Sequence, residues 1–218
     1  MIILTFDRKF LPNGIVAGVS LLNEKDRVPS LKEIADFFEF SDFFYASQIH
    51  SGKTIVFGNS AKGEEGDAVL CFEKNVLLGI FTADCVPVYV FSESFCGIIH
   101  AGWRGFVNGI FESFFEELNN KKVNLFEVKA VIGACICGDC YEVGKEVAEK
   151  FPEEFVKKQG DRFFLDLKGC AFDRLVSAGL EEKNIQKTPY CTFHENWFHS
   201  YRRNRTDFRN VNFIGLKG

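Results

Sequence analysis

Val86-Pro-Val-Tyr-Val-Phe91 and Phe95-Cys-Gly-Ile-Ile-His100 are two apolar runs of strand length, joined by Ser92-Glu-Ser94. Both are rich in β-branched and aromatic residues, and the polar connector has hairpin length, so they read as neighbouring strands. The period then changes. From Gly102 to Leu118, apolar residues recur at Phe106, Ile110, Phe111, Phe114 and Phe115, which is the spacing of a helical face. Strand, strand, helix without a regular β-α-β alternation argues for an α+β fold rather than a doubly wound parallel sheet.

The same reading extends outward in both directions. Upstream, Ser30-Leu-Lys-Glu33 resembles a capping box that opens a short helix through Phe40. Lys53–Phe57 is a candidate strand, Gly63-Glu-Glu-Gly66 a turn, and Asp67–Phe72 and Val76–Phe81 read as a pair of strands. Downstream, Val128–Ile132 reads as a strand. Helical patterns follow at Glu142–Lys158, broken by Pro152, and at Asp166–Leu180, and Val211–Leu216 closes the chain as a strand. No repeat, low-complexity tract or long linker interrupts this, so residues 1–218 are expected to form one domain.

Composition narrows the function classes. At 46% hydrophobic and 26% charged residues the chain has the means to bury a core, and a net charge of −4 offers no basic field for a nucleic-acid backbone. The first residues have no basic stretch ahead of an apolar one, and no window approaches the ~20 apolar residues of a membrane span. A cytoplasmic protein is expected, with no nucleic-acid or membrane partner. Its eight cysteines are then expected to be thiols unless they bind metal or do chemistry. The 26 Phe, including Phe37-Phe38, Phe43-Phe44, Phe114-Phe115 and Phe163-Phe164, read as packing residues because no Lys/Arg stripe interleaves them.

Three segments place metal ligands beside turn residues: Gln48-Ile-His50, Thr82-Ala-Asp-Cys-Val-Pro87 and His100-Ala-Gly-Trp-Arg-Gly105. Strand ends converging on one sheet edge would let His50, Cys85 and His100 surround one ion. Two imidazoles and a thiolate leave a fourth position open, the pattern of a catalytic zinc, which acidifies bound water toward pKa ~7. Asp84 is a candidate proton carrier, with bracing of the Cys85 turn as its plainer role. Arg104, at a helix start, is a candidate anion contact. Cys135-x-Cys137-x-x-Cys140, with Cys191, is a candidate second zinc site. His194 and His199 read as surface-loop residues, Trp103 as a packing anchor, and Cys71, Cys96 and Cys170 as core.

These segments, in this order, resemble the signature of the YfiH family, also called laccase-domain or multicopper polyphenol oxidase-like proteins. Ile132-Gly-Ala-Cys-Ile136, Cys140-Tyr-Glu-Val-Gly144, Cys191-Thr192 and Ser200-Tyr-Arg-Arg203 extend the match to the C-terminal region. The resemblance implies a single α+β domain with two central mixed β-sheets flanked by helices. It also implies one zinc ion held by His50, Cys85 and His100, with copper not expected. The implied activity is phosphorolysis of adenosine, inosine, guanosine and methylthioadenosine, together with hydrolytic deamination of adenosine. Purine nucleosides and phosphate are the implied partners, Gln48, Arg202 and Arg203 the substrate contacts, and a monomer or weak homodimer the implied state.

The laccase label fails by counting. A multicopper oxidase needs around ten imidazole ligands, and this chain has four His. The sequence also departs from the family pattern. Gly18-Val-Ser-Leu-Leu22 lacks the Arg that many relatives carry there, leaving Arg8 or Arg27 as replacements. Ile132-Gly-Ala-Cys-Ile-Cys-Gly138 adds Cys137, and Asn204-Arg-Thr-Asp-Phe-Arg209 lacks the usual Thr-Gly-Arg. Two other uses of the pocket stay open: Cys85 activated by His100 as the nucleophile of a hydrolase acting on a peptidoglycan precursor, and nucleoside binding without catalysis.

Overall fold

The computed structural model describes residues 2–22 and 28–218. In chain order its strands are β1 (Ile3–Thr5), β2 (Ile15–Ser20), β3 (Asp42–Tyr45), β4 (Thr54–Val56), β5 (Ala68–Cys71), β6 (Val76–Thr82) and β7 (Val86–Phe91). They continue with β8 (Cys96–Ala101), β9 (Lys129–Ile132), β10 (Glu142–Val143), β11 (Val156–Gln159), β12 (Arg162–Leu165), β13 (Ile185–Lys187) and β14 (Asn210–Leu216). The helices are α1 (Leu31–Phe37), α2 (Trp103–Val107), α3 (Ile110–Asn120), α4 (Lys145–Ala148), α5 (Leu167–Ser177) and α6 (Tyr201–Asn204).

The strands form two mixed sheets, one of order β1-β2-β14-β6-β3 and one of order β13-β9-β7-β8-β5-β4, and a small third sheet of order β10-β12-β11. The two large sheets pack face to face. Strand alternation decides which side each residue serves. Tyr89 and Phe91 of β7 and Ile98 of β8 join Leu78 and Ile80 of β6 and Ile214 of β14 between the sheets. Val86, Val88, Val90 and Ile99 face the other way, into a core closed by Phe106, Ile110, Phe111 and Phe114 with Leu167 and Leu175 of α5. On the far side of the five-stranded sheet, Leu31, Ile34 and Ala35 of α1 pack on Leu77 and Phe213. The result is helix, sheet, sheet, helix.

The expected β7–β8 hairpin is present, with Val86 opposite Ala101 and Phe91 opposite Cys96. The Ser30 capping box is present too: the Ser30 hydroxyl accepts from Glu33 N, and the Glu33 carboxylate accepts from Ser30 N. Three readings are corrected. Asp67–Phe72 and Val76–Phe81 are strands but not partners, because β5 pairs with β4 and β8 while β6 pairs with β14 and β3. The helix read from Gly102 is two helices, divided at Asn108-Gly109, where Gly109 takes φ 78°. The Glu142–Lys158 stretch is β10, the single turn α4, a short 3₁₀ turn and β11. Its apolar spacing serves the edge of the α5 core, and Gly144 and Pro152 flank the single α-helical turn. Phe37, at 64% exposure, is an exception among the paired phenylalanines.

Candidate metal centre and substrate pocket

Thr82 ends a strand of one large sheet and Val86 begins a strand of the other, so Ala83-Asp84-Cys85 crosses between the sheets at their shared edge. His100 sits near the end of β8, antiparallel to β7 and close to the same edge. His50 reaches it from the loop before β4. The three ligand atoms, two imidazole nitrogens and the Cys85 thiol, lie within 4.8 Å of one another. Cys85 Sγ and His50 Nε2 are 3.9 Å apart. A tetrahedral zinc with bonds of about 2.0 and 2.3 Å separates such a pair by roughly 3.5 Å, so the donor set fits an ion after only a small contraction. Gly102 leaves the required room, since a Cβ there would stand 3.0 Å from Cys85 Sγ and 3.0 Å from His50 Cδ2.

Asp67 organises the ligands and escaped the sequence reading. It is buried, and its Oδ1 lies 2.8 Å from His100 Nδ1 while accepting from His50 N at 3.0 Å. Its Oδ2 accepts from Ser51 N, Ser51 Oγ and Ile49 N. One carboxylate therefore fixes the His100 ring and holds the His50 loop, where His50 takes φ 58°. The available signal was an acid opening a wholly apolar strand, which reads as a turn residue unless a partner is known.

The electrostatics follow from this packing. Burial opposes ionisation of Asp67, but hydrogen bonds to His100 and Ser51 outweigh it and hold the carboxyl at about 2. Burial likewise disfavours the Cys85 thiolate, yet the His100 imidazolium and hydrogen bonds from both histidines bring the thiol down to about 6. For His100, burial disfavours the cation, and the Cys85 thiolate and Asp67 carboxylate raise it to about 9. The metal-free site is a thiolate–imidazolium pair near neutral pH.

The cluster lies in a pocket of about 840 Å³, within the size range of small-molecule sites. Tyr45, Phe81, Trp103, Tyr141 and Tyr201 give it aromatic walls, and Arg104, Arg202 and Arg209 line it with cations. Arg104 lies over the Trp103 ring and Arg202 over the Tyr141 ring. Trp103 is thus both packed and part of the pocket, and Arg209, from the atypical tail, was not anticipated.

Of the other expected site residues, Asp84 and Gln48 line the pocket. Asp84 Oδ1 accepts from Thr192 Oγ1 and its Oδ2 from Arg202 N, both at 2.7 Å. At φ 92° it is strained, and the two hydrogen bonds hold it there. Gln48 lines the pocket with its amide clamped both ways to the Phe81 backbone. Arg203 is placed apart from these. It lies outside the pocket lining, and its guanidinium donates to the carbonyls of Thr192, Phe193, Glu195 and Phe198. His199 is buried rather than on a surface loop. Arg8 does not line the pocket, and Arg27 lies outside the described residues. Cys71, Cys96 and Cys170 are buried, as expected.

The model of the family described as multi-copper polyphenol oxidoreductase laccase matches residues 23–217. The chain belongs to that family. Among its relatives, a purine nucleoside phosphorylase of Aquifex aeolicus is 35% identical over 163 residues, covering 74% of this chain and 77% of the relative. Adenosine deaminase RL5, from an unknown prokaryote, is 34% identical over 137 residues, 58% of this chain and 52% of its own. The crystal structure of YfiH from Bacillus licheniformis superposes with a TM-score of 0.84 at 26% identity, covering 94% of each chain. The α+β architecture is that of YfiH. Among the described residues no helix is long and apolar enough to cross a membrane.

Proposed function

We propose that this laccase-family chain is a zinc-dependent purine nucleoside enzyme, acting by phosphorolysis of the glycosidic bond and by hydrolytic deamination of adenosine. The observation that carries this reading is the meeting, in one pocket, of an open three-ligand cluster with aromatic walls and arginines. Relatives named purine nucleoside phosphorylase and adenosine deaminase support it. Adenosine, inosine, guanosine and methylthioadenosine are the candidate substrates.

His50, Cys85 and His100 would hold the ion, with Asp67 fixing the His100 ring behind it. Zinc bound there supplies a Lewis acid able to acidify water near neutral pH. The chain does the rest. Aromatic faces such as those of Tyr141 and Trp103 receive the purine, and Arg104, Arg202 and Arg209 neutralise an anion. In phosphorolysis a phosphate oxygen bonds to the ribose C1′ as the C1′–N bond breaks and the electron pair leaves with the base. In deamination water adds at C6 and ammonia departs. Asp84 acts as a positioning residue, because its two hydrogen bonds hold the Cys85 turn against Thr192 and the start of α6. Free thiols throughout suit a reducing, cytoplasmic setting.

The thiolate–imidazolium pair of the metal-free site favours a second reading, a Cys85 nucleophile activated by His100. Chromatography of adenosine incubated with the protein, with and without phosphate, separates the possibilities. Adenine formed only with phosphate, or inosine formed without it, and neither with His100→Ala, is the expected result. No product from zinc-loaded protein would overturn the proposal and favour the hydrolase or a non-catalytic binder.

A further inference from the structure

A second group of ligands lies outside the nucleoside pocket. Cys137 and Cys140 sit on one tight turn, with Cys140 N donating to Cys137 O at 3.0 Å. Cys191 and His194 sit on another, with His194 N donating to Cys191 O at 3.2 Å. A backbone β-bridge between Cys135 and Cys191, both free thiols, brings the turns together. The four ligand atoms, three sulfurs and one imidazole nitrogen, all lie within 4.8 Å of one another. Cys140 Sγ is 3.1 Å from His194 Nε2, and Cys137 N donates to Cys191 Sγ at 3.3 Å.

We infer that Cys137, Cys140, Cys191 and His194 form a structural zinc site. Each turn contributes two ligands separated by two residues, C-x-x-C and C-x-x-H, which lets successive side chains meet on one ion. Four protein ligands close the shell, in contrast to the open trio in the pocket. A backbone N–H aimed at a sulfur, as at Cys191, is the outer-shell contact that stabilises a thiolate ligand. The ligand set differs from the sequence reading in one place. Cys135, with its side chain buried in the α5 core, is not a ligand, and the exposed His194 takes its place.

The position gives the site a purpose. Cys140 directly precedes Tyr141, a pocket wall, and Cys191 directly precedes Thr192, which holds Asp84. An ion here staples the segment after β9 to the segment after β13, 54 residues apart in sequence between Cys137 and Cys191. The lost-entropy penalty of closing that loop is then met by metal binding rather than by a larger core.

Zinc analysis of the full chain, grown with zinc and purified under reducing conditions, tests this. The expected content is about two ions per chain for the wild type. It falls to about one in His50→Ala and to about one in the double variant Cys140→Ser/His194→Ala, and His194→Cys retains both. Cobalt titration of the metal-free wild type avoids any folding failure in the variants. Two separable tetrahedral bands, one with the stronger sulfur charge transfer of three thiolates, are expected. One ion per chain that His50→Ala abolishes, or a double variant that keeps as much zinc as the wild type, would overturn the inference. So would a Cys137–Cys140 disulfide in place of the sulfur-rich cobalt band.

Discussion

His100 Nδ1 and Asp67 Oδ1 are 2.8 Å apart and buried, and the same carboxylate holds the backbone of the His50 loop. A single acid therefore orients two of the three candidate metal ligands. Asp67→Asn keeps the shape but loses the charge and cannot accept from every present donor. The expected loss of zinc affinity at the pocket site is about 10- to 100-fold, read by competition with a chromogenic chelator.

Acid stability follows from the same group. The folded-state pKa of Asp67 is depressed to about 2, so its contribution is present above its unfolded value near 4. That contribution is lost as pH falls from about 4 to about 2, and amounts to about 2 kcal/mol. Urea unfolding of metal-free protein should show a steeper decline over that window in the wild type than in Asp67→Asn. Parallel declines would contradict the assignment.

Metal uptake should release a proton. With Cys85 held at about 6 and His100 raised to about 9, the metal-free site at pH 7.5 carries a thiolate and an imidazolium. A metal needs both as thiolate and neutral imidazole, so loading the pocket site displaces about one proton between those limits. Calorimetry in buffers of different ionisation enthalpy measures it. Working below pH 6 raises the number, because the thiol proton must leave as well.

Gly102 is the close neighbour of the cluster. In Gly102→Ala the added methyl meets Cys85 Sγ and His50 Cδ2 at 3.0 Å, while the backbone, at φ −84°, accepts alanine readily. The variant should fold with an unchanged circular dichroism spectrum and bind pocket zinc about tenfold more weakly or worse.

Arg203 and Arg104 should separate. Arg203→Ala removes the donor to four carbonyls, so it should cost about 2 kcal/mol of stability and leave the KM for phosphate near normal. Arg104→Ala, on the pocket rim, should raise that KM with little change in melting temperature.

The β7–β8 hairpin, the α1 capping box and the clustering of His50, Cys85 and His100 were legible because each is marked by local chemistry: alternation, a Ser-x-x-Glu pair, and His or Cys beside turn residues. The partners of β5 and β6 were not. Both strands are apolar on nearly every residue, so nothing in either says which sheet it joins. The place of His194 in the second cluster was hidden for a related reason, since its turn and the Cys137–Cys140 turn are separate in sequence and are brought together by the backbone β-bridge between Cys135 and Cys191. The sequence did not separate Arg203 from its motif neighbour Arg202, which lines the pocket, while one residue further along α6 the guanidinium turns to backbone carbonyls. Asp67 carries its role entirely through contacts made after folding.

The most direct test is the rate of adenosine turnover as zinc is returned to chelator-treated protein. No turnover is expected without metal, with full recovery when the His50, Cys85 and His100 site is refilled. Turnover at the untreated rate in metal-free protein would contradict it, and would leave the Cys85 thiolate acting as a nucleophile.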